Sequence, residues 1–397
     1  MTVGNSIALA IRRIVAPVQG MHRAISDRWF SAAGPSARPV RRVHDGVSDA
    51  VYGSIRVGGV VVGTVVEART GKHSAAADSA QSVVNGLWGD SLGPGASGLG
   101  IEMAIRDGFG DIVPVNREVG DAFCGASGHL VVLVHGLIES ERCWAGTDSA
   151  PGLFESLDDH PDLTPVMIRY NSGLRISENG ARLAALLEDV HSFWPVQVES
   201  ISLVGHSAGG LVIRGACAVA SEAGSPWLGD VHRVVTIGTP HRGAPLEKFV
   251  NATAWALGAA RETRPLADFL NRRSVGIKDL RFGAITEDDW LGSDPDALLR
   301  NTVGDHPLPP GIDHHFVAGV IIGDPKHPFG ASIGDLVVRS SSATARNHLA
   351  PTSTAVFGRT SHATLQRDPA VVKHVMKCLE RPASPSSRSG GGASSGR

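Results

Sequence analysis

From Gly128 onward the chain alternates short β-branched apolar runs with stretches patterned for helix, and this alternation limits the fold more than any other feature. Leu130-Val-Val-Leu-Val134 reads as a buried strand by its length and β-branched content. Ile201-Ser-Leu-Val204, Val234-Val-Thr-Ile237 and His315-Phe-Val-Ala-Gly-Val-Ile-Ile322 supply three more. Between the first two, Leu183, Leu186, Leu187, Val190 and Phe193 keep the three-four spacing of one helix face, with Ser177 placed to cap it. Leu211 to Ala223 reads as the next helix. Val371, Val372, Val375, Met376 and Leu379 mark the inner face of a closing helix over Pro369 to Glu380. The pattern implies an α/β fold, a mostly parallel sheet with helices on both faces.

Residues 1–127 have a different character and read as an extension of helix and short strands that packs on the main domain, residues 128–381. Its apolar run Val57-Gly-Gly-Val-Val-Val-Gly-Thr-Val-Val66 lies between Arg56 and Glu67. A helix crossing a bilayer needs about 20 apolar residues, so this run cannot span one alone. It is suited to burial against the main domain or to a peripheral membrane contact. Ile101 to Ile105 and Asp111 to Val115 read as short strands around the turn at Asp107-Gly108. The Ser/Gly-rich residues 382–397 read as a disordered tail.

No basic residue precedes the first apolar run, and Arg12 and Arg13 follow it, so no signal peptide is expected. Cys124, Cys143, Cys217 and Cys378 are scattered without a C-x-x-C pair, which fits reduced thiols in a cytoplasmic protein. With 37 Lys and Arg against 39 Asp and Glu, the formal charge of -2 supplies no field for gathering nucleic acid. The histidines show no metal-ligand spacing; His314 and His315, being adjacent, would face opposite sides of a strand. Neither a metal nor an organic cofactor is expected.

Gly205-His206-Ser207-Ala208-Gly209 falls between the strand ending at Val204 and the helix beginning near Leu211. A serine on so tight a strand-to-helix turn projects its hydroxyl above the sheet edge, and the glycines remove Cβ atoms that would clash there. A second match, Gly89-Asp90-Ser91-Leu92-Gly93, follows no strand and leads into Pro94, so it reads as coincidental. A serine nucleophile needs a base, a group to orient that base, and donors for the oxyanion. His135-Gly136-Leu137 follows the strand Leu130 to Val134, and the N–H groups of Leu137 and Ala208 are the candidate donors.

Val134-His-Gly-Leu137, Gly205-His-Ser-Ala-Gly209 and Thr236-Ile-Gly-Thr-Pro-His-Arg-Gly243, in this order, resemble the α/β-hydrolase superfamily. Within it the chain is similar to the bacterial lipase/esterase group and to inositol-deacylase-like lipases. The resemblance covers about residues 128 to 381. It implies an acid after a late strand and a histidine ahead of the final helix, in the order Ser, Asp, His. Gly334-Asp335-Leu336-Val337-Val338 matches the acid segment, with Leu336 where glycine is common, and makes Asp335 the acid; Asp313 and Asp324 are the competitors. His362, in Thr360-Ser-His-Ala-Thr-Leu365, is the base. His241 comes too early in the chain for that role and reads as part of a structural turn, while His206 reads as a packing or hydrogen-bonding residue.

Family members commonly carry an insertion as a cap, and residues 244–295 are the place for one here. Leu246, Phe249, Val250, Thr253 and Leu257 mark one amphipathic face there, and Leu266, Phe269 and Leu270 another. Trp144 and Trp255 fit either the pocket lining or the core. The resemblance implies a serine hydrolase acting on small-molecule or lipid carboxylic esters. Acyl transfer and thioester cleavage share its chemistry. Gly89-Asp-Ser-Leu92 with Asp324-Pro-Lys-His327 also resembles the blocks of flat-sheet esterases, and a non-catalytic, membrane-associated binding module is the reading from another class. Oligomeric state is left open.

Overall fold

The computed structural model describes residues 34–67, 75–92, 100–258, 270–322, 334–345 and 349–380 apart from a few single positions, and part of 15–31. The chain divides into two compact units, residues 1–84 and 85–397. In the first, helix α1 (Arg38–Glu67) contains the apolar run as part of 30 helical residues. Its Arg41 pairs with Asp45 one turn on at 3.4 Å, and Ser48 meets His22 at 3.0 Å. No helix among the described residues is long and apolar enough to cross a membrane. Helix α2 spans Ala75–Trp88.

The second unit is built on one eight-stranded sheet. Its strands are β1 (Ala104–Arg106), β2 (Ile112–Val113), β3 (His129–Val134), β4 (Thr164–Arg169), β5 (Ser200–His206), β6 (Val231–Ile237), β7 (Asp313–Val320) and β8 (Ser353–Gly358). They lie in the order β2-β1-β4-β3-β5-β6-β7-β8. Strands β3 to β8 are parallel, while β1 runs antiparallel to both β2 and β4. Two strands that the sequence assigns to the N-terminal extension are thus part of this sheet.

Strand β3 is flanked by β4 on one side and β5 on the other, with Val134 beside Gly205. The chain reverses its direction of travel across the sheet here, and in open α/β sheets such a reversal is where ligands bind beyond the carboxyl ends of the strands. The side chains of β3 alternate between two cores. Leu130, Val132 and Val134 pack with helices α4 (Ile176–Phe193) and α5 (Ala208–Ala223). Val131 and Leu133 face Trp144, helix α3 (Leu153–Asp158) and helix α7 (Pro369–Glu380). Trp144 is therefore core.

The sequence pattern misses β4 and β8. In β4, Pro165 and Arg169 interrupt the apolar run, yet every residue is buried. Arg169 is accommodated because Glu141 accepts two hydrogen bonds from it at 2.5 Å. Strand β8 is a half-buried edge. Ser177 does not cap α4, which starts at Ile176; its hydroxyl accepts the indole N–H of Trp290 at 3.0 Å.

Helix α6 (Pro245–Gly258) forms within the expected insertion, but its polar side turns inward. Glu247, Asn251 and Ala254 are buried, while Phe249 and Trp255 are 46% and 58% exposed, so Trp255 is not core. Glu247 accepts from Arg273 at 2.6 Å and Arg281 at 3.0 Å, and this carboxylate–guanidinium cluster fixes the helix's rotation. Leu266, Phe269, Asp324, His327 and residues 382–397 lie outside the described residues.

Candidate active site

Strand β5 ends at His206, and Ser207 follows with φ 51° and ψ -123° before α5 begins at Ala208. This left-handed, strained turn is set by its surroundings. The Ser207 amide donates to the Ile237 carbonyl at 2.8 Å, and a Cβ on Gly209 would lie 2.3 Å from the Val134 carbonyl oxygen. Glycine is the residue that lets α5 start so close to β3.

The Ser207 hydroxyl lies 2.8 Å from Nε2 of His362, whose Nδ1 lies 2.7 Å from Oδ2 of Asp335. Residues more than 150 positions apart thus form one hydrogen-bonded chain over the carboxyl edge of the sheet. Asp335 is wholly buried, and its Oδ1 accepts from the amides of Val337 and Val338 at 3.1 and 2.8 Å. Its carbonyl oxygen accepts the His362 amide at 3.1 Å, so backbone and side chain hold the imidazole together. A carboxylate only accepts, so Nδ1 of His362 carries the proton and Nε2 turns a lone pair to the serine. Burial works against a charged His362, but the hydrogen bond and charge of Asp335 prevail and raise its pKa above the ordinary histidine value.

The acid segment departs from the glycine-bearing pattern at Leu336, and the backbone there has φ 85°. The turn is therefore the one glycine would favour, made with a leucine whose side chain is 63% exposed. Asp313 opens β7, at the amino end of a parallel strand and the far edge of the sheet from Ser207.

In the loop after β3, the Gly136 amide donates to Glu139 Oε2 at 2.8 Å and the Ile138 amide to Ser172 Oγ at 3.1 Å. The Leu137 amide between them has no hydrogen-bond acceptor among the described residues. Ala208 is the first residue of α5, where an amide has no intrahelical acceptor. The loop reaches the serine closely, since a Cβ on Gly136 would stand 2.9 Å from Ser207 Cβ.

The remaining candidates are apart from this chain of bonds. His241 is buried, bonded to Thr236 Oγ1 at 3.0 Å and stacked on Phe316 with ring centroids 4.1 Å apart. Burial pushes its pKa well down, so it stays neutral. Ser91 sits in a single 3-10 turn. Sequence reasoning missed Glu139, which accepts the Gly136 amide and lies 2.7 Å from His206 Nδ1. Its position four residues after His135 was the available signal. Among the described residues no three His, Cys, Asp or Glu side chains converge as a metal site requires.

A sheet in this strand order, with Ser207 on the turn after β5 and Asp335 and His362 beyond β7 and β8, has the arrangement of the α/β-hydrolase fold. Residues 126–280 match the family described as "Putative serine esterase (DUF676)", and over that stretch the chain is similar to lipases and esterases. It is 29% identical over 150 residues to triacylglycerol lipases of Pseudarthrobacter phenanthrenivorans and of Burkholderia plantarii. Each match covers 37% of this chain, and 44% and 39% of those proteins, so the chain spans about two fifths of the relatives' length. Among solved structures, the mature lipase BlEst2 of Bacillus licheniformis aligns with a TM-score of 0.41 at 21% identity, over 63% of this chain and 91% of that one. A lipase-esterase related protein of Clostridium acetobutylicum aligns at 0.36 and 12%, over 70% and 98%.

Proposed function

We propose that this protein hydrolyses carboxylic esters through an acyl-enzyme on Ser207. The observation that carries the reading is the unbroken chain Ser207 Oγ, His362 Nε2, His362 Nδ1, Asp335 Oδ2, with spacings of 2.8 and 2.7 Å. His362 takes the serine proton as the oxygen attacks the ester carbonyl, and Asp335 holds the tautomer and balances the imidazolium that forms. The amides of Leu137 and Ala208 receive the developing oxyanion, each worth about 3 kcal/mol by analogy with known sites. The imidazolium then returns its proton to the departing alcohol, and a water activated by the same ring releases the acid. Ile138, next to the Leu137 amide and 40% exposed, supports an ester with an apolar acyl group.

The test is covalent labelling by a fluorophosphonate, together with turnover of p-nitrophenyl esters of increasing acyl length. Labelling and turnover should vanish in Ser207→Ala and persist in Ser91→Ala. Turnover retained in Ser207→Ala would overturn the assignment. Product analysis with competing alcohols separates hydrolysis from acyl transfer.

A further inference from the structure

Glu139 and His206 stand beside the Ser207–His362–Asp335 chain, and their hydrogen bonds fix a charge state. Glu139 accepts the Gly136 amide on Oε2 at 2.8 Å and Gln366 Nε2 on Oε1 at 3.2 Å. His206 Nδ1 lies 2.7 Å from that Oε2, and its Nε2 lies 3.2 Å from the carbonyl oxygen of His362. A carboxylate and a carbonyl accept and cannot donate, so hydrogen bonds at both ring nitrogens require a proton on each. Burial alone would push the Glu139 carboxyl up. The charge and hydrogen bond of His206 and the Gly136 amide outweigh it and hold Glu139 at about 2.

The other titratable groups around Glu139 are neutral or engaged with partners of their own. Burial lowers the pKa of His135 and raises those of Cys143 and Tyr170, leaving all three neutral. Arg169 is held by Glu141, and Arg367 donates to the carbonyls of Arg142 and Cys143. His362 is committed to Asp335 and Ser207.

We propose that Glu139 and His206 form a buried carboxylate–imidazolium pair that ties the Gly136–Leu137 loop to the loop presenting His362. Both are positioning residues, because neither touches a reacting atom. The proposal rests on the reading of Ser207 as nucleophile. The pair grips the oxyanion loop through the Gly136 amide, the nucleophile turn through His206 itself, and the base loop through the His362 carbonyl. Its two charges also bear on His362, whose ring centroid lies 5.0 Å from that of His206. An unbalanced cation there would oppose the charge His362 acquires, and the Glu139 carboxylate offsets it.

The full-length wild-type chain, labelled with 15N-histidine, tests the charge state: both nitrogens of His206 should show protonated shifts at neutral pH. A non-protonated nitrogen would overturn the pair. In ester turnover, Glu139→Gln should lower kcat about 10- to 100-fold with KM within about threefold, as displacement of a catalytic loop does. The acid limb of kcat/KM should move to lower pH in Glu139→Gln and to higher pH in His206→Gln, an opposition that a packing role would not produce. The double variant should be no worse than the weaker single within about threefold, because the two act as a unit. Unchanged kcat in Glu139→Gln, limbs moving together, or multiplicative losses would each reject the proposal. If Glu139→Gln folds poorly, Glu139→Asp decides: recovery of kcat above the Gln variant supports the pair, and none rejects it. Absence of labelling and turnover in the wild type would instead overturn the hydrolase reading, while the His206 spectrum still tests the pair.

Discussion

Ser207 stands at the end of β5, where every strand residue is buried and both neighbouring strands are parallel, whereas Asp335 and His362 stand on loops beyond β7 and β8 at the sheet's margin. The first region is shaped by missing side chains. A Cβ on Gly205 would lie 2.6 Å from the Gly210 amide nitrogen, so the motif's glycines are demanded by backbone packing. The second region accepts several side chains, where the first accepts Ser207, in backbone conformations that favour glycine: Leu336, Ala345, Ala350 and Arg359 all have positive φ. Each costs about 1–2 kcal/mol, which surrounding bonds must offset. Those bonds include the two amides on Asp335, the His362 amide on the Asp335 carbonyl, and Ser342 Oγ donating to the Gly243 carbonyl at 3.0 Å. Close packing holds Ser207 in place, while a lattice of hydrogen bonds holds Asp335 and His362.

The contrast breaks down if the two regions fail to act as one site. Ser207→Ala, from the packed region, should lower kcat at least about 10⁴-fold. Asp335→Asn, from the hydrogen-bonded region, should lower it about 10⁴-fold while far-UV circular dichroism stays unchanged. An Asp335→Asn enzyme retaining a tenth of its activity would separate the two regions.

Stability sharpens the contrast, because the same kind of change should have opposite signs in the two places. Gly205→Ala should destabilise by about 3 kcal/mol in urea unfolding, since backbone rather than a flexible side chain blocks the added methyl. Leu336→Gly should stabilise by about 0.5–1 kcal/mol, because relief of the left-handed strain exceeds the glycine's entropy cost and an exposed side chain gives up little burial. A destabilised Leu336→Gly variant would show that the leucine, and not the hydrogen bonds, holds the acid turn.

The smallest effect expected is on pH dependence. The raised pKa of His362 places the acid limb of kcat/KM above about 6.5, because the ring must be neutral to accept the serine proton. The linkage has the opposite sense for folding. A raised native pKa contributes stability that is present below about pH 6.5 and is lost as pH rises through the native value. NMR titration of His362 with a midpoint below the ordinary histidine value would contradict both.

The packed region was legible because its constraints are written in residue types: β-branched runs for β3, β5 and β6, and glycines where α5 meets β3. The acid turn was legible only through its match to a family pattern, since Leu336 occupies a conformation that its own chemistry disfavours. Strand β4 was hidden because Arg169 looks solvent-facing until Glu141, 28 residues away, is seen to neutralise it. Glu139 escaped for a related reason: its partner His206 lies 67 residues on, and only folding puts a carboxylate against an imidazole. The inward face of α6 was misread because periodicity finds oil, and this helix is anchored by ions.

That anchoring has a thermodynamic consequence for α6. Detaching a helix that buries leucines hydrates apolar surface and carries a large heat-capacity increment. Detaching α6 would hydrate Asn251 and Glu247 with its guanidinium partners Arg273 and Arg281, while Phe249 and Trp255 are wet already. Its local opening, followed by amide exchange, should therefore have a free energy that varies nearly linearly between cold and warm solution, without the curvature that exposure of apolar surface gives.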